Sequence, residues 1–351
     1  MLPSLFRLRP VRLAILCSVS LVACSAVAAD NTVKLRAEAV PEFTDNLFHY
    51  SEQQLDDFDA GDETGQDERF QDIDDTADMV TRARLRGDIT WDLAKKRDVL
   101  LRLDGRYALH ARNGIADYGS VAAHTAVDVS RHDALFAEIK YIPDRFQKNY
   151  RIPDTGTFTA AHYTQTDYTA GYQRKIHKRW NAGAEYRHRR RRYDSPLQSR
   201  NRDGDYLRGF TDYRLAKKTW ATSSLELGRV ETDEAVDFGV LIDRSYEQLN
   251  VIQGFRFDLP AKTDLTLDLA YRRREATTDV VEDGGRFDRV DQRTRIRAGI
   301  DKKLGRGFTL TGRITYQDND SDREDPTFDV DEVGYEEARV ALGIVYRARL
   351  R

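Results

Sequence analysis

Long hydrophobic runs are almost absent from this chain. Across 351 residues only Leu13–Cys24 (LAILCSVSLVAC) is unbroken and apolar, and it is too short to span a bilayer as a helix. A polytopic helical membrane protein is therefore excluded, and a mean hydropathy of -0.67 suggests a polar, soluble chain. Cysteine is nearly missing: Cys17 and Cys24 are the two present, both inside that one run. No disulfide framework is available without them. Neither charge sign dominates, with 56 Lys+Arg against 59 Asp+Glu and a formal charge of -3. Glycine-rich phosphate loops and zinc-ligand spacings are also missing, so the sequence implies no cofactor and no metal.

What is present begins at the amino terminus. Arg7, Arg9 and Arg12 precede the apolar run, no acid occurs before Asp30, and Val27-Ala28-Ala29 follows. Basic, apolar and small-residue regions in that order make a secretory signal peptide over 1–29. Leu21-Val22-Ala23-Cys24 offers a second exit, a lipobox with Cys24 as the lipidated residue. Cleavage after Ala29 is the favoured reading. It removes both cysteines and three arginines, which leaves 53 basic against 59 acidic residues and a formal charge of -6.

From residue 30 onward the dominant pattern is strict alternation over 10–16 residues, the mark of a half-buried strand. In RVDQRTRIRAGIDKKL (289–304), Thr294, Ile296, Ala298 and Ile300 share one face, and Arg293, Arg295, Arg297 and Asp301 the other. The same reading predicts strands at 32–40, 78–93, 98–112, 119–131, 133–142, 159–175, 180–192, 204–216, 219–231, 245–259, 263–274, 289–303, 307–318 and 334–349. Short turns alternate with long polar loops at 41–77, 113–118, 143–158, 193–203, 232–244, 275–288 and 319–333. An even number of strands with alternating connection lengths predicts an all-β fold, a closed transmembrane antiparallel up-and-down barrel. Fourteen strands fit best, with twelve or sixteen as alternatives. Both termini fall on the short-turn side, the expected periplasmic side.

Aromatic residues sort to the ends of the apolar face. Trp91, Trp180 and Trp220 lie beside short turns and are expected to face outward, with Phe308 and Tyr346 at the same level. Tyr107, Tyr141, Tyr186, Tyr271 and Tyr316 lie at the other end. Two such belts match the girdles at membrane–water boundaries. On these features residues 30–351 resemble a Gram-negative outer-membrane β-barrel of the porin-like kind. TDNLFHYS (44–51) further resembles a stretch early in barrels associated with exopolysaccharide clusters. The resemblance implies an outer-membrane location, contact with lipopolysaccharide, and insertion by the barrel-insertion machinery. That machinery commonly reads a terminal aromatic residue; here Tyr346 is followed by RARLR, a departure from the pattern.

Parity assigns roughly 24 basic and 13 acidic residues to inward positions. Arg84, Arg86, Arg102, Arg106, Arg208, Arg272, Arg274, Arg293, Arg295, Arg297 and Arg313 are the expected lumen residues. Acids concentrate in loops instead: twelve between Glu52 and Asp78, ten between Asp318 and Glu337. Arginine offers paired donors to carboxylates and phosphates, so a basic tube would concentrate anionic small molecules. Such a lumen is similar to that of barrels passing acidic oligosaccharides. The expectation is a passive channel for anionic solutes. The alternative is a closed structural or envelope-interaction barrel, stiffened by Arg–acid pairs or plugged by loop 41–77. A catalytic protein finds less support, since no histidine joins a serine and an acid in a recognisable motif. His124 and Asp128 share an inward face and nothing more.

EYRHRRRRYDS (185–195) would suggest a nucleic-acid patch in a soluble protein. In a strand it splits by parity. Arg187, Arg189 and Arg191 point to the lumen mouth. Arg190 and Arg192 point outward, at the level of lipopolysaccharide phosphates. Nucleic acid is not an expected partner.

Overall fold

The alternating segments form fourteen long strands that close into one barrel. The computed structural model describes residues 32–64, 68–94, 97–152, 157–232, 235–237, 240–278, 287–322 and 334–350. The expected signal segment 1–29, with Cys24, lies outside them. The wall consists of β1 (Thr32–Thr44), β2 (Asp78–Ala94), β3 (Arg97–His110), β4 (Tyr118–Asp128), β5 (Asp133–Arg151), β6 (Phe158–His177), β7 (Trp180–Tyr193), β8 (Arg202–Ala216) and β9 (Thr219–Thr232). It continues with β12 (Tyr246–Leu259), β13 (Thr263–Ala276), β14 (Val290–Gly305), β15 (Phe308–Asp322) and β16 (Tyr335–Leu350). Two three-residue strands, β10 (Ala235–Asp237) and β11 (Val240–Ile242), pair only with each other in the loop after β9.

Neighbouring wall strands are antiparallel, and β16 closes on β1 from Val33 opposite Leu350 to Thr44 opposite Arg339. Closure is what lipid demands, because an open edge would leave backbone donors and acceptors unpaired. A tube of this size is also wider than its own side chains fill easily. The turn between β14 and β15 is tight: Gly305, Arg306 and Gly307 all have positive φ, 99°, 50° and 86°. A Cβ on Gly307 would lie 2.3 Å from the Arg347 carbonyl oxygen, so that position takes only glycine.

The outer face carries the apolar half of each alternation. Leu342 is 62% exposed, Ile314 58% and Leu227 53%. Exposed apolar side chains recur on strand after strand around the wall, far beyond what a water-facing monomer leaves uncovered. Tyr107, Tyr141, Tyr186, Tyr271 and Tyr316 share this outer parity at the long-loop end, as do Trp91 and Trp180 at the short-turn end. Trp180 stands opposite Tyr213, and Phe308 packs on Tyr346 at 4.9 Å.

Trp220 departs from the expected belt. It pairs with Arg214 and Arg256 and shares parity with Ser224 and Glu226, so it faces the lumen. The Arg256 guanidinium lies 4.2 Å from its ring centre and that of Arg214 5.3 Å away. Two cations over an electron-rich face stabilise an inward indole that its position beside a turn does not reveal.

Two predicted loops are also structured. β5 runs on to Arg151 rather than stopping at 142, with irregular register between Ile142 and Arg145 and between Phe146 and Asn149. Segment 41–77 contains helix α1 (Glu52–Thr64). Phe48, Tyr50 and Ile73 from this segment pack with Ala116 and Phe146 in a small apolar cluster at the long-loop end.

Candidate functional site: the lumen

The inward face holds two kinds of arginine. The first kind is matched by carboxylates. Arg84 and Arg106 stand directly opposite across β2 and β3, and Asp104 lies between them, accepting from Arg84 Nε and Arg106 Nε at 2.8 Å each. Arg86 and Arg102 share Asp88, at 2.7 and 2.8 Å. Arg189 binds Asp167 through two nitrogens, Arg187 meets Glu226 at 2.8 Å, and Arg208 meets Glu185 at 3.4 Å. Such pairs satisfy two groups at once and rigidify the wall. His124 likewise turns to Glu138, at 3.6 Å, rather than to Asp128.

The second kind lacks acids. Among the described residues no carboxylate lies within 4.0 Å of Arg272, Arg274, Arg293, Arg295, Arg297 or Arg313. Their cross-strand neighbours explain why. Arg295 stands between Ala270 and Gln317, Arg313 between Gly299 and Ala341, and Arg272 faces Arg293. Asp268 is in register with Arg297 yet forms no ion pair with it. Neutral partners hold Arg274. Its Nε donates to Gln248 Oε1 at 3.0 Å and its guanidinium lies 4.7 Å from the Tyr246 ring centre.

All of these arginines except Arg295 border a cavity of about 750 Å³ in the long-loop half of the lumen. Its other walls add residues that alternation did not single out. The register breaks in β5 re-aim Arg145 and Lys148 into the cavity, as bulges do. Arg145 stacks on Tyr118 at 4.5 Å and Arg191 on Tyr163 at 4.3 Å. Parity was the signal for Arg191; broken register hid the other two.

The first long segment reaches into the mouth without filling it. His49 stacks on Tyr335 at 4.5 Å and lies 3.2 Å from Glu337. Asn46 fastens the segment through the Tyr50 and Glu336 carbonyls, at 2.7 and 3.1 Å.

Outside, Arg190 and Arg192 flank Asp203. Arg192 meets it at 2.7 Å and Arg190 approaches at 3.7 Å. Asp205, two residues on, takes His188 at 2.8 Å. The long-loop rim of the outer face is thus charged in both signs, just beyond Tyr186.

Apolar exterior, aromatic rims and a wide polar lumen together are the features of a transmembrane β-barrel with a porin-like fold. Among solved structures the chain is similar to an anion-selective porin from Comamonas acidovorans, at 10% identity over 91% of this chain and 99% of that one, with a TM-score of 0.42. It is also similar to a bacterial polysaccharide outer membrane secretin (7% identity, 90% and 98% covered, TM-score 0.49). The outer membrane channel DcaP of Acinetobacter baumannii is comparable (11% identity, 91% and 96% covered, TM-score 0.48). At these identities the likeness concerns the fold alone. No protein-family profile matches the chain, and no curated protein does.

Proposed function

We propose that this protein is an outer-membrane channel that passes anionic solutes passively, with acidic saccharides as the favoured class. The observation that carries this reading is the set of β13, β14 and β15 arginines with no carboxylate within 4.0 Å among the described residues, most of which line the cavity. A carboxylate or sulfate entering the lumen meets donors that no protein acid already occupies. Successive sites along β14 (Arg293, Arg295, Arg297) would let it move stepwise, each held weakly enough to release. The acid-matched arginines serve the wall, and their charge is largely cancelled.

The remaining expectations join this reading. Export by the 1–29 signal peptide and assembly by the barrel-insertion machinery would place the long loops outside the cell. There the outward Arg190 and Arg192, beside Asp203, would meet lipopolysaccharide phosphates.

Planar-bilayer recording of the purified protein under a salt gradient tests the channel. A reversal potential favouring the anion supports it. A cation-preferring barrel overturns it; an electrically silent one also overturns it and leaves the closed structural barrel.

A further inference from the structure

Five arginine pairs stand directly opposite each other across strand ladders: Arg36–Arg347, Arg36–Arg86, Arg84–Arg106, Arg191–Arg202 and Arg272–Arg293. Like charges in that position repel. In the first three pairs Glu38, Asp88 or Asp104 touches at least one member and offsets the repulsion. In Arg191–Arg202 and Arg272–Arg293 no carboxylate does so among the described residues.

These two pairs share two further features. Each contains a buried guanidinium nitrogen, Arg202 Nε or Arg272 Nε, that donates to no protein group. A buried donor left unmatched is costly, the more so when charged. In the Arg191–Arg202 pair the other contacts are neutral: Arg202 donates to the Tyr193 hydroxyl at 2.7 Å, and Arg191 to Gln165 Oε1 at 2.8 Å. Both pairs also open on one continuous space. Arg191, Arg272 and Arg293 line the 750 Å³ cavity, while Arg202 lines an adjoining 230 Å³ pocket that shares Arg274 and Tyr150 with it.

We infer that the two acid-free arginine pairs form a two-point binding site for a chain bearing several oxyanion groups, one group seated at each pair. The inference rests on the anion-channel reading and deepens it from a diffuse positive field to a discrete site. Arg202 on β8 and Arg272 on β13 are three strand spacings apart, roughly 14 Å across the strands, and the ladders set Arg272 level with Arg208, six residues or roughly 20 Å along β8 from Arg202. One carboxylate cannot bridge that distance, so a single small anion gains one pair only. A chain that reaches both gains the second contact intramolecularly.

Calorimetric titration of the detergent-purified full-length protein tests this without relying on conductance. The probes are galacturonic acid, its octamer, and a polyphosphate chain of about fifteen phosphates, both chains long enough to reach the two pairs. Octamer affinity is expected to exceed that of the monomer by about 100-fold. The double variants Arg272→Gln/Arg293→Gln and Arg191→Gln/Arg202→Gln should each bring octamer affinity to within a few-fold of the monomer's. The corresponding Arg→Lys pairs, which keep the charge and lose the two-pronged geometry, should recover part of it and serve if the Gln variants fail to fold. Tight binding of either chain-like probe supports the site, and the tighter one names its oxyanion. Equal affinity for monomer and chains, or chain binding untouched by both Gln doubles, overturns it. A silent barrel that still binds the octamer overturns the channel alone; an anion-selective channel without this chain preference overturns the site alone.

Discussion

The β2–β3 wall and the β13–β15 wall of the same lumen are both rich in arginine, yet they do opposite things with it. On β2 and β3, Asp88 and Asp104 take two arginines each. On β13 to β15 the positions facing arginines hold alanine, glutamine, glycine, asparagine, threonine or another arginine, and the two facing acids, Asp268 and Asp291, form no ion pair with Arg297 or Arg274 among the described residues. The lesson is that counting inward arginines says little about what a tube conducts. What matters is how many have an acid within reach, because a matched guanidinium is spent on the wall while an unmatched one faces the solute.

Substitutions that exchange the roles of the two walls probe this contrast. The largest expected effect falls on Asp104→Asn. It strands Arg84 and Arg106 opposite each other with only Glu38 nearby. Denaturant unfolding should show a loss of about 2–3 kcal/mol, less than for a fully buried pair because the Arg106 side chain is 54% exposed. Ala270→Asp makes the reverse change by placing an acid beside Arg295. The anion-to-cation permeability ratio should then fall several-fold, with folding intact by heat-modifiable gel mobility. A smaller effect is expected for Arg293→Gln, which removes a like charge from opposite Arg272. Stability should stay level or rise by less than about 1 kcal/mol, in contrast to Asp104→Asn. The smallest effect belongs to Arg189→Gln/Asp167→Asn, a pair already self-neutralised; the permeability ratio should remain near that of the unaltered protein.

The fold was legible because a barrel wall writes one rule, alternation, over every strand. Thr294 to Ile300 and Arg293 to Asp301 separate by parity alone, and register in the barrel keeps them on opposite faces. Legibility failed where that rule is interrupted or insufficient. Displaced register in β5 hid Arg145 and Lys148 inside an expected loop. Trp220 looked like a membrane anchor by residue type and position, but its cross-strand partners Arg214 and Arg256 put it inside. The division between matched and unmatched arginines was not legible at all. Asp167 and Asp268 are both inward acids across a ladder from an arginine, yet only Asp167 closes on its partner. That outcome depends on side-chain direction within the lumen, which parity does not encode.

The most direct test of the central claim is the reversal potential of the triple variant Arg293→Gln/Arg295→Gln/Arg297→Gln, measured beside the Arg189→Gln/Asp167→Asn variant under the same salt gradient. The account predicts that the first loses most of its anion preference while the second keeps it. Equal preference in both, or loss in the second alone, would contradict the claim that the unmatched arginines govern passage.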